Sequence, residues 1–167
     1  PQVASVFTSS KRALPGLTIA MLAISAFVRS YGWLMLGLIG KLAARRISID
    51  EIEQLRSVVR RMHQTQKGKR ADEYFALNVE FHDLLARAAR NNALLAQYRG
   101  IVNQLDLYRR ATISRGADNI PVSTQEHEAI IDAVAARDEQ RAEALLTEHV
   151  LVSRERLHAA LGTPNPA

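Results

Sequence analysis

The chain contains no cysteine. This absence excludes disulfide bridges, a thiolate metal site and a cysteine nucleophile, and it is typical of proteins from a reducing compartment. Any metal site would therefore be built from histidine, carboxylate and amide side chains. A cleavable signal peptide is not visible either, since no basic start leads into an apolar stretch with a small-residue cleavage site. We expect a cytoplasmic location, with peripheral inner-membrane association as the alternative.

Acidic residues are missing from the first part of the chain. Residues 1–46 hold six basic and no acidic residues, whereas residues 47–167 hold 16 basic and 17 acidic residues. Such asymmetry favours two segments of different origin or environment. We predict an apolar, basic segment over 1–46, a helical domain over 47–162 and a tail over 163–167. The nearly neutral second part has no basic stripe, so it does not indicate nucleic-acid binding.

A long hydrophobic run is also missing. Arg29 divides the apolar N-terminal region into charge-free runs of 16 residues (13–28) and 11 residues (30–40). Neither run reaches the roughly 18–20 residues that a membrane-spanning helix needs. Trp33, with Lys41 beyond it, would suit a membrane interface. The same region would also suit the first helix of a bundle, and both alternatives stay open.

From residue 47 onward, apolar residues recur at helical spacing and no strand pattern occurs. Ser48 with Glu51, and Ser123 with Glu126, have the spacing of a capping box at the start of a helix. Asp138 is a further capping residue. These signals predict an all-α fold, an antiparallel bundle of about six helices. The predicted helices after the N-terminal segment cover roughly 49–66, 71–89, 93–114, 123–136 and 139–161.

Three of the five histidines, His82, His127 and His149, fall on three different predicted helices. Asn78 precedes His82 by one helical turn, so both side chains project from one face and can reach one ion. Each of the three histidines has apolar neighbours, a setting that keeps an imidazole neutral and able to coordinate a metal. The alternative is that they are ordinary core residues. We expect the two remaining histidines at the surface: His63 and His158.

Several stretches carry a family resemblance. Residues 43–161 resemble the C-terminal effector-binding domain, called the FCD domain, of GntR-type transcriptional regulators of the FadR branch. The matching stretches include NVEFH at 78–82, EHEAIIDAV at 126–134 and EH at 148–149. The family's metal motif is Asp or Asn, three residues, His, and then two later histidines. The resemblance places that motif on four residues of this chain: Asn78, His82, His127 and His149.

The resemblance implies a bound divalent transition metal, with zinc or nickel expected first and manganese or iron as alternatives. It also implies a small organic acid as effector and a homodimer. Because Asn78 stands where an aspartate is common, all protein ligands would be neutral and the ion would keep its full charge. That charge should weaken metal binding but strengthen the attraction for a carboxylate. Arg109 and Arg110 are candidates to bind the same acid group.

The function implied is that of the sensory half of a transcription regulator. Such regulators carry an N-terminal winged helix-turn-helix of about 65 residues, and no segment of this sequence resembles one. We therefore expect an effector domain lacking its DNA-binding part, so that contact with DNA would occur only through a missing N-terminal domain.

Residues 1–40 carry a second resemblance, to a segment of the inner-membrane F protein of type II secretion systems, as in RSYGW at 29–33. This resemblance favours a chimeric or truncated reading frame and makes a membrane-associated secretion fragment an alternative function. A His-ligated metalloenzyme is a further alternative, since an open metal site can activate water. No general base is evident for it, because Glu80 points to a different face of its helix from His82.

Overall fold

The structure, a computed structural model, describes residues 32–67, 70–112 and 119–161. These residues form helices joined by short turns and contain no strand, which confirms the predicted all-α bundle. The first helix, α1, covers 32–46. The other five are α2 (Ile49–Lys67), α3 (Ala71–Ala88), α4 (Asn92–Thr112), α5 (Ile120–Ala135) and α6 (Glu139–Leu161).

The capping signals explain two of the helix starts. Ser48 Oγ accepts a hydrogen bond from the Glu51 amide at 3.2 Å, while the Glu51 carboxylate accepts one from the Ser48 amide at 2.9 Å. This reciprocal pair is the capping box that the spacing predicted. At the last helix, Asp138 Oδ1 accepts a hydrogen bond from the Arg141 amide at 3.0 Å. Both predicted caps are confirmed.

The predicted start of α5 at Ser123 is wrong. The helix begins at Ile120, with Pro121 in its first turn. Proline is favoured there because its fixed φ suits the helix and its missing N–H would have no partner within the helix. Ser123 therefore lies inside the helix, and Glu126 is free to point its carboxylate elsewhere. Its contacts belong to the candidate site.

Helix α1 packs closely against α6 through glycine. A Cβ placed on Gly40 would lie 2.7 Å from the carbonyl oxygen of Ala142, closer than real Cβ atoms approach an oxygen. The absence of a side chain thus lets the two backbones meet. Lys41 bridges to Glu143 at 3.0 Å, and Ile39 is buried in the common core. Residues 33–46 are therefore a helix of the bundle in this structure.

The membrane and secretion-protein predictions for residues 1–40 depend mainly on residues 1–31, which lie outside the described residues. The predicted tail over 163–167 lies outside them as well. Within the part of the chain that the structure describes, no helix is both long and apolar enough to cross a membrane.

The core is largely aliphatic, and among the described residues Phe81 on α3 is the largest fully buried side chain. Helix α2 packs against α3 and α5, and α5 packs against α6. Helices α3, α5 and α6 thereby face a common interior, and these are the helices that carry the three candidate histidines. The buried apolar residues of α5 and α6 are Ile130, Ile131, Ala133, Val134, Ala142 and Leu146.

Candidate metal centre

The structure brings His82, His127 and His149 together in the interior. They come from α3, α5 and α6 respectively, and all three side chains are buried. One ring nitrogen from each histidine lies within 4.8 Å of the corresponding nitrogens of the other two. Three imidazole nitrogens at such separations can reach a single ion with only small side-chain movements, given metal–nitrogen bonds of about 2.0–2.1 Å for zinc.

The rings of His82 and His149 are stacked with their planes 27° apart, and the ring of His127 is tilted against both. The ring centroids of His127 and His149 lie 4.6 Å apart with planes tilted by 57°, and those of His82 and His149 lie 5.2 Å apart. Phe81 packs its ring 4.4 Å from that of His127. Because Phe81 is fully buried, its ring forms an apolar wall beside the cluster. The imidazoles therefore share a confined interior space.

His127 is the most deeply placed of the three, with no exposed surface. Neither of its ring nitrogens has a hydrogen-bond partner among the described residues. Burial lowers the pKa of His127 well below its usual value, and the neighbouring His149 and His82 lower it further. His127 is therefore neutral at physiological pH and holds a free lone pair. An unpartnered buried nitrogen is costly, and a metal ion is a partner that would relieve the cost.

His149 differs from His127 because it has a polar partner. Its Nδ1 lies 2.7 Å from Glu126 Oε2, and Arg156 contacts the same carboxylate at 2.5 and 3.1 Å. Burial alone would raise the pKa of Glu126, but the hydrogen bonds from His149 and Arg156, together with the nearby charge of Arg156, lower it to about 2. Glu126 is thus ionised at neutral pH and bridges a histidine and an arginine.

The remaining predicted site residues are less completely placed. Asn78 lies on α3 one turn before His82 and is half-buried. Arg109 and Arg110 lie on α4, but their side chains are outside the described part of the structure. His63 lies at the surface as predicted, with its Nε2 2.8 Å from Glu128. The side chain of His158 is also outside the described part.

The role of Glu126 was missed from the sequence. Its position three residues after Ser123 imitates a capping box, whereas its carboxylate contacts His149 and Arg156 instead. A signal was present, because Arg156 follows His149 by two helical turns and so lies on the same face of α6.

The donor set fits a divalent transition metal. Three imidazoles, with the amide of Asn78 one turn from His82, offer the nitrogen and oxygen ligands that zinc, nickel, iron and manganese accept. Fewer than four imidazoles leave room for a further ligand, as in metal sites that bind small molecules. The unpartnered nitrogens of His127 are the structural observation that supports this fit.

Comparison with known proteins identifies the family. The model of the FCD domain matches residues 34–151, which begins within α1 rather than at residue 43. A relative from Paenarthrobacter nicotinovorans, described as "Probable D-xylose utilization operon transcriptional repressor", is 29% identical over 116 residues, or 68% of this chain. The chain spans about half of that relative (49%). Since the family match covers most of the chain, this protein belongs to the FCD family, the effector-binding domains of GntR-type transcriptional regulators.

Proposed function

We propose that this chain is a metal-containing effector domain that senses a small organic acid. The metal ligands are the three histidines of the buried cluster together with Asn78. The observation that carries the proposal is the convergence of three buried imidazoles from three helices, one of which, His127, has no hydrogen-bond partner among the described residues. Such a cluster is costly without an ion and well suited to one.

The metal in this proposal is zinc or nickel first, with manganese or iron as alternatives. All four protein ligands are neutral, and the nearby negative charge of Glu126 is balanced by Arg156. The bound ion would therefore keep most of its double positive charge. An exchangeable position on such an ion attracts a carboxylate more strongly than a neutral ligand.

The effector class follows from that charge. A small organic acid would bind the metal through its carboxylate, with Arg109 and Arg110 on α4 as additional contacts. The related repressor is named for an operon of D-xylose utilization. An operon of sugar utilization is a metabolic one, and we propose that the effector of this chain is a small metabolite.

The output of the domain would be transcriptional. We propose that the domain acts as a homodimer in the cytoplasm and that DNA is contacted through a separate winged helix-turn-helix domain. Catalysis is disfavoured, because Glu126, the carboxylate next to the histidine cluster, is engaged by His149 and Arg156 and is not free to act as a general base. The relation to a transcriptional repressor favours regulation in the same way.

Metal analysis of purified variants tests the proposal. We expect about one divalent transition metal per chain in the parent protein and almost none in His127→Ala or His82→Ala. The matched control is His63→Ala, because His63 is a histidine that pairs with a carboxylate at the surface; it should keep the metal. Equal metal content in all variants, or no uptake of zinc or nickel by the parent, would refute the site.

A further inference from the structure

The contact between His149 and Glu126 restricts which nitrogen of His149 can face the cluster. Nδ1 lies 2.7 Å from Glu126 Oε2, whereas the other ring nitrogen, Nε2, is not part of that contact. An ionised carboxylate only accepts hydrogen bonds, so Nδ1 must carry the proton and donate. The lone pair of a neutral His149 is then on Nε2. A metal can bind only the nitrogen that carries the lone pair.

Glu126 is itself held in place by Arg156. Two guanidinium nitrogens of Arg156 contact the two carboxylate oxygens, at 2.5 Å to Oε1 and 3.1 Å to Oε2. This forked geometry fixes the plane of the carboxylate as well as its position. Both side chains are mostly buried, with exposed fractions of 25% for Glu126 and 22% for Arg156. The pair is therefore shielded from solvent more than an ordinary surface ion pair.

We propose that Glu126, clamped by Arg156, is the positioning residue of the histidine cluster: it holds His149 as the Nδ1–H tautomer and turns Nε2 toward His82 and His127. This inference rests on the metal site proposed above but makes a separate claim about the apoprotein. His127, by contrast, has no hydrogen-bond partner among the described residues. Glu126 thus prepares one ligand before the metal arrives.

The arrangement has a consequence for metal affinity. A carboxylate that accepts a hydrogen bond from a ligating imidazole orients the ring and makes its other nitrogen a better donor, and removing such a partner typically lowers metal affinity by about 10–100-fold. Arg156 supports the same effect indirectly, since without it the carboxylate could rotate away. We expect Arg156→Gln to weaken metal binding less than Glu126→Ala does.

The chain offers a matched control. Glu128 lies two residues after Glu126 on the same helix, and its carboxylate contacts His63 Nε2 at 2.8 Å. Both groups of that pair are about half exposed, at 50% and 43%. Glu128→Ala therefore removes a histidine–carboxylate contact from the same helix without touching the cluster. It should leave both the tautomer of His149 and the metal affinity unchanged.

Nitrogen NMR of the metal-free full chain tests the tautomer directly. In a long-range proton–nitrogen spectrum of the ¹⁵N-histidine-labelled protein, we expect the His149 signals of an Nδ1–H imidazole, assigned by their loss in His149→Ala. In Glu126→Ala, the population protonated on Nε2 should increase, while Glu128→Ala should match the parent. A parent protein with His149 protonated on Nε2 and not on Nδ1 would overturn the proposal, whether or not the protein binds metal.

Zinc and nickel titrations in competition with a chelator test the effect on binding. Glu126→Ala should bind each metal about 10–100-fold more weakly than the parent. Affinities within twofold of the parent would contradict the positioning role. If circular dichroism shows that Glu126→Ala does not fold, Glu126→Gln replaces it, because glutamine keeps the shape of the side chain but loses its charge. Glu126→Gln should bind metal more weakly than Glu128→Gln. Equal affinities of these two variants would overturn the proposal.

Discussion

Replacing His127 by leucine should change the stability of the protein in opposite directions with and without metal. His127 is fully buried, and neither ring nitrogen has a hydrogen-bond partner among the described residues. Leaving a buried donor or acceptor unpaired costs about 1–3 kcal/mol. Leucine removes that cost, although a change of shape beside Phe81 usually costs less than about 1.5 kcal/mol. In a chelator, the free energy of unfolding of His127→Leu should therefore lie between about that of the parent and about 3 kcal/mol above it.

Metal should reverse that order. At a free zinc concentration of about 100 times the dissociation constant, binding to the folded state adds about 2.7 kcal/mol to the stability of the parent. His127→Leu keeps only two of the three imidazoles, so it should gain much less. Urea unfolding followed by circular dichroism, with EDTA or with excess zinc, measures both quantities. His63→Leu is the control, because it alters a half-exposed histidine outside the cluster and should keep the full zinc-dependent gain.

Two results would refute this reasoning. A loss of more than about 2 kcal/mol for His127→Leu in EDTA would mean that the buried imidazole is favourably bound within the apoprotein, contrary to its lack of a partner. Equal stabilisation of parent and variant by zinc would mean that the metal binds elsewhere. Either result would remove the main support for the buried site.

Three further predictions concern packing, pH and ligand charge. Gly40→Ala should lower the free energy of unfolding by about 1–3 kcal/mol, because the added Cβ would press on the backbone of the last helix. In the same urea assay, Gly100→Ala should raise it by up to about 1 kcal/mol, because a Cβ at residue 100 would meet no atom within 4 Å. The metal-free protein should lose stability as the pH falls below 6.5, because the pKa of His127 is lowered in the folded state and the unfolded chain therefore binds a proton first. The pKa of Glu126 is lowered from 4.5 to about 2 on folding, so its contribution to stability should be lost only below about pH 4.5. A urea midpoint that does not change between pH 7.5 and 5 would contradict the prediction for His127. Asn78→Asp should tighten zinc binding by about tenfold or more, because it adds a negative ligand, and an unchanged affinity in chelator competition would show that residue 78 does not bind the ion.

Local signals predicted most of the helix boundaries. Ser48 and Glu51 form the expected capping box, and Asp138 caps the last helix, because both depend only on residues close in sequence. The start of α5 was misplaced since two valid signals competed, Pro121 and the Ser123 capping pattern, and the proline prevailed. Choosing between them requires knowing that the carboxylate of Glu126 is needed elsewhere, which is tertiary information.

The packing of α1 could not be read from composition. An apolar run is equally compatible with a membrane interface and with a protein core, because both bury apolar surface. In the structure, Gly37 and Gly40 allow α1 to approach α6 closely, because a Cβ on Gly37 would collide with the Thr147 hydroxyl oxygen. Two glycines three residues apart on one helix face are the signal that could have favoured close helix packing.

The candidate site was predictable as a set of residues but not as an arrangement. The positions of His82, His127 and His149 on three helices follow from periodicity, and helix packing brings them together. The difference in hydrogen-bond partners between His149 and His127 does not follow from their spacing in the sequence. That His149 is held by Glu126 while His127 is unpartnered depends on side-chain positions across α5 and α6.

X-ray absorption spectroscopy of the zinc- or nickel-loaded chain tests the central claim most directly. We predict a first shell of nitrogen and oxygen atoms, at about 2.0–2.1 Å for zinc, with the outer scattering of three imidazoles, falling to two in His149→Ala. A shell of oxygen atoms alone, or an imidazole count that is the same in the parent and in His149→Ala, would contradict a metal centre built from these three histidines.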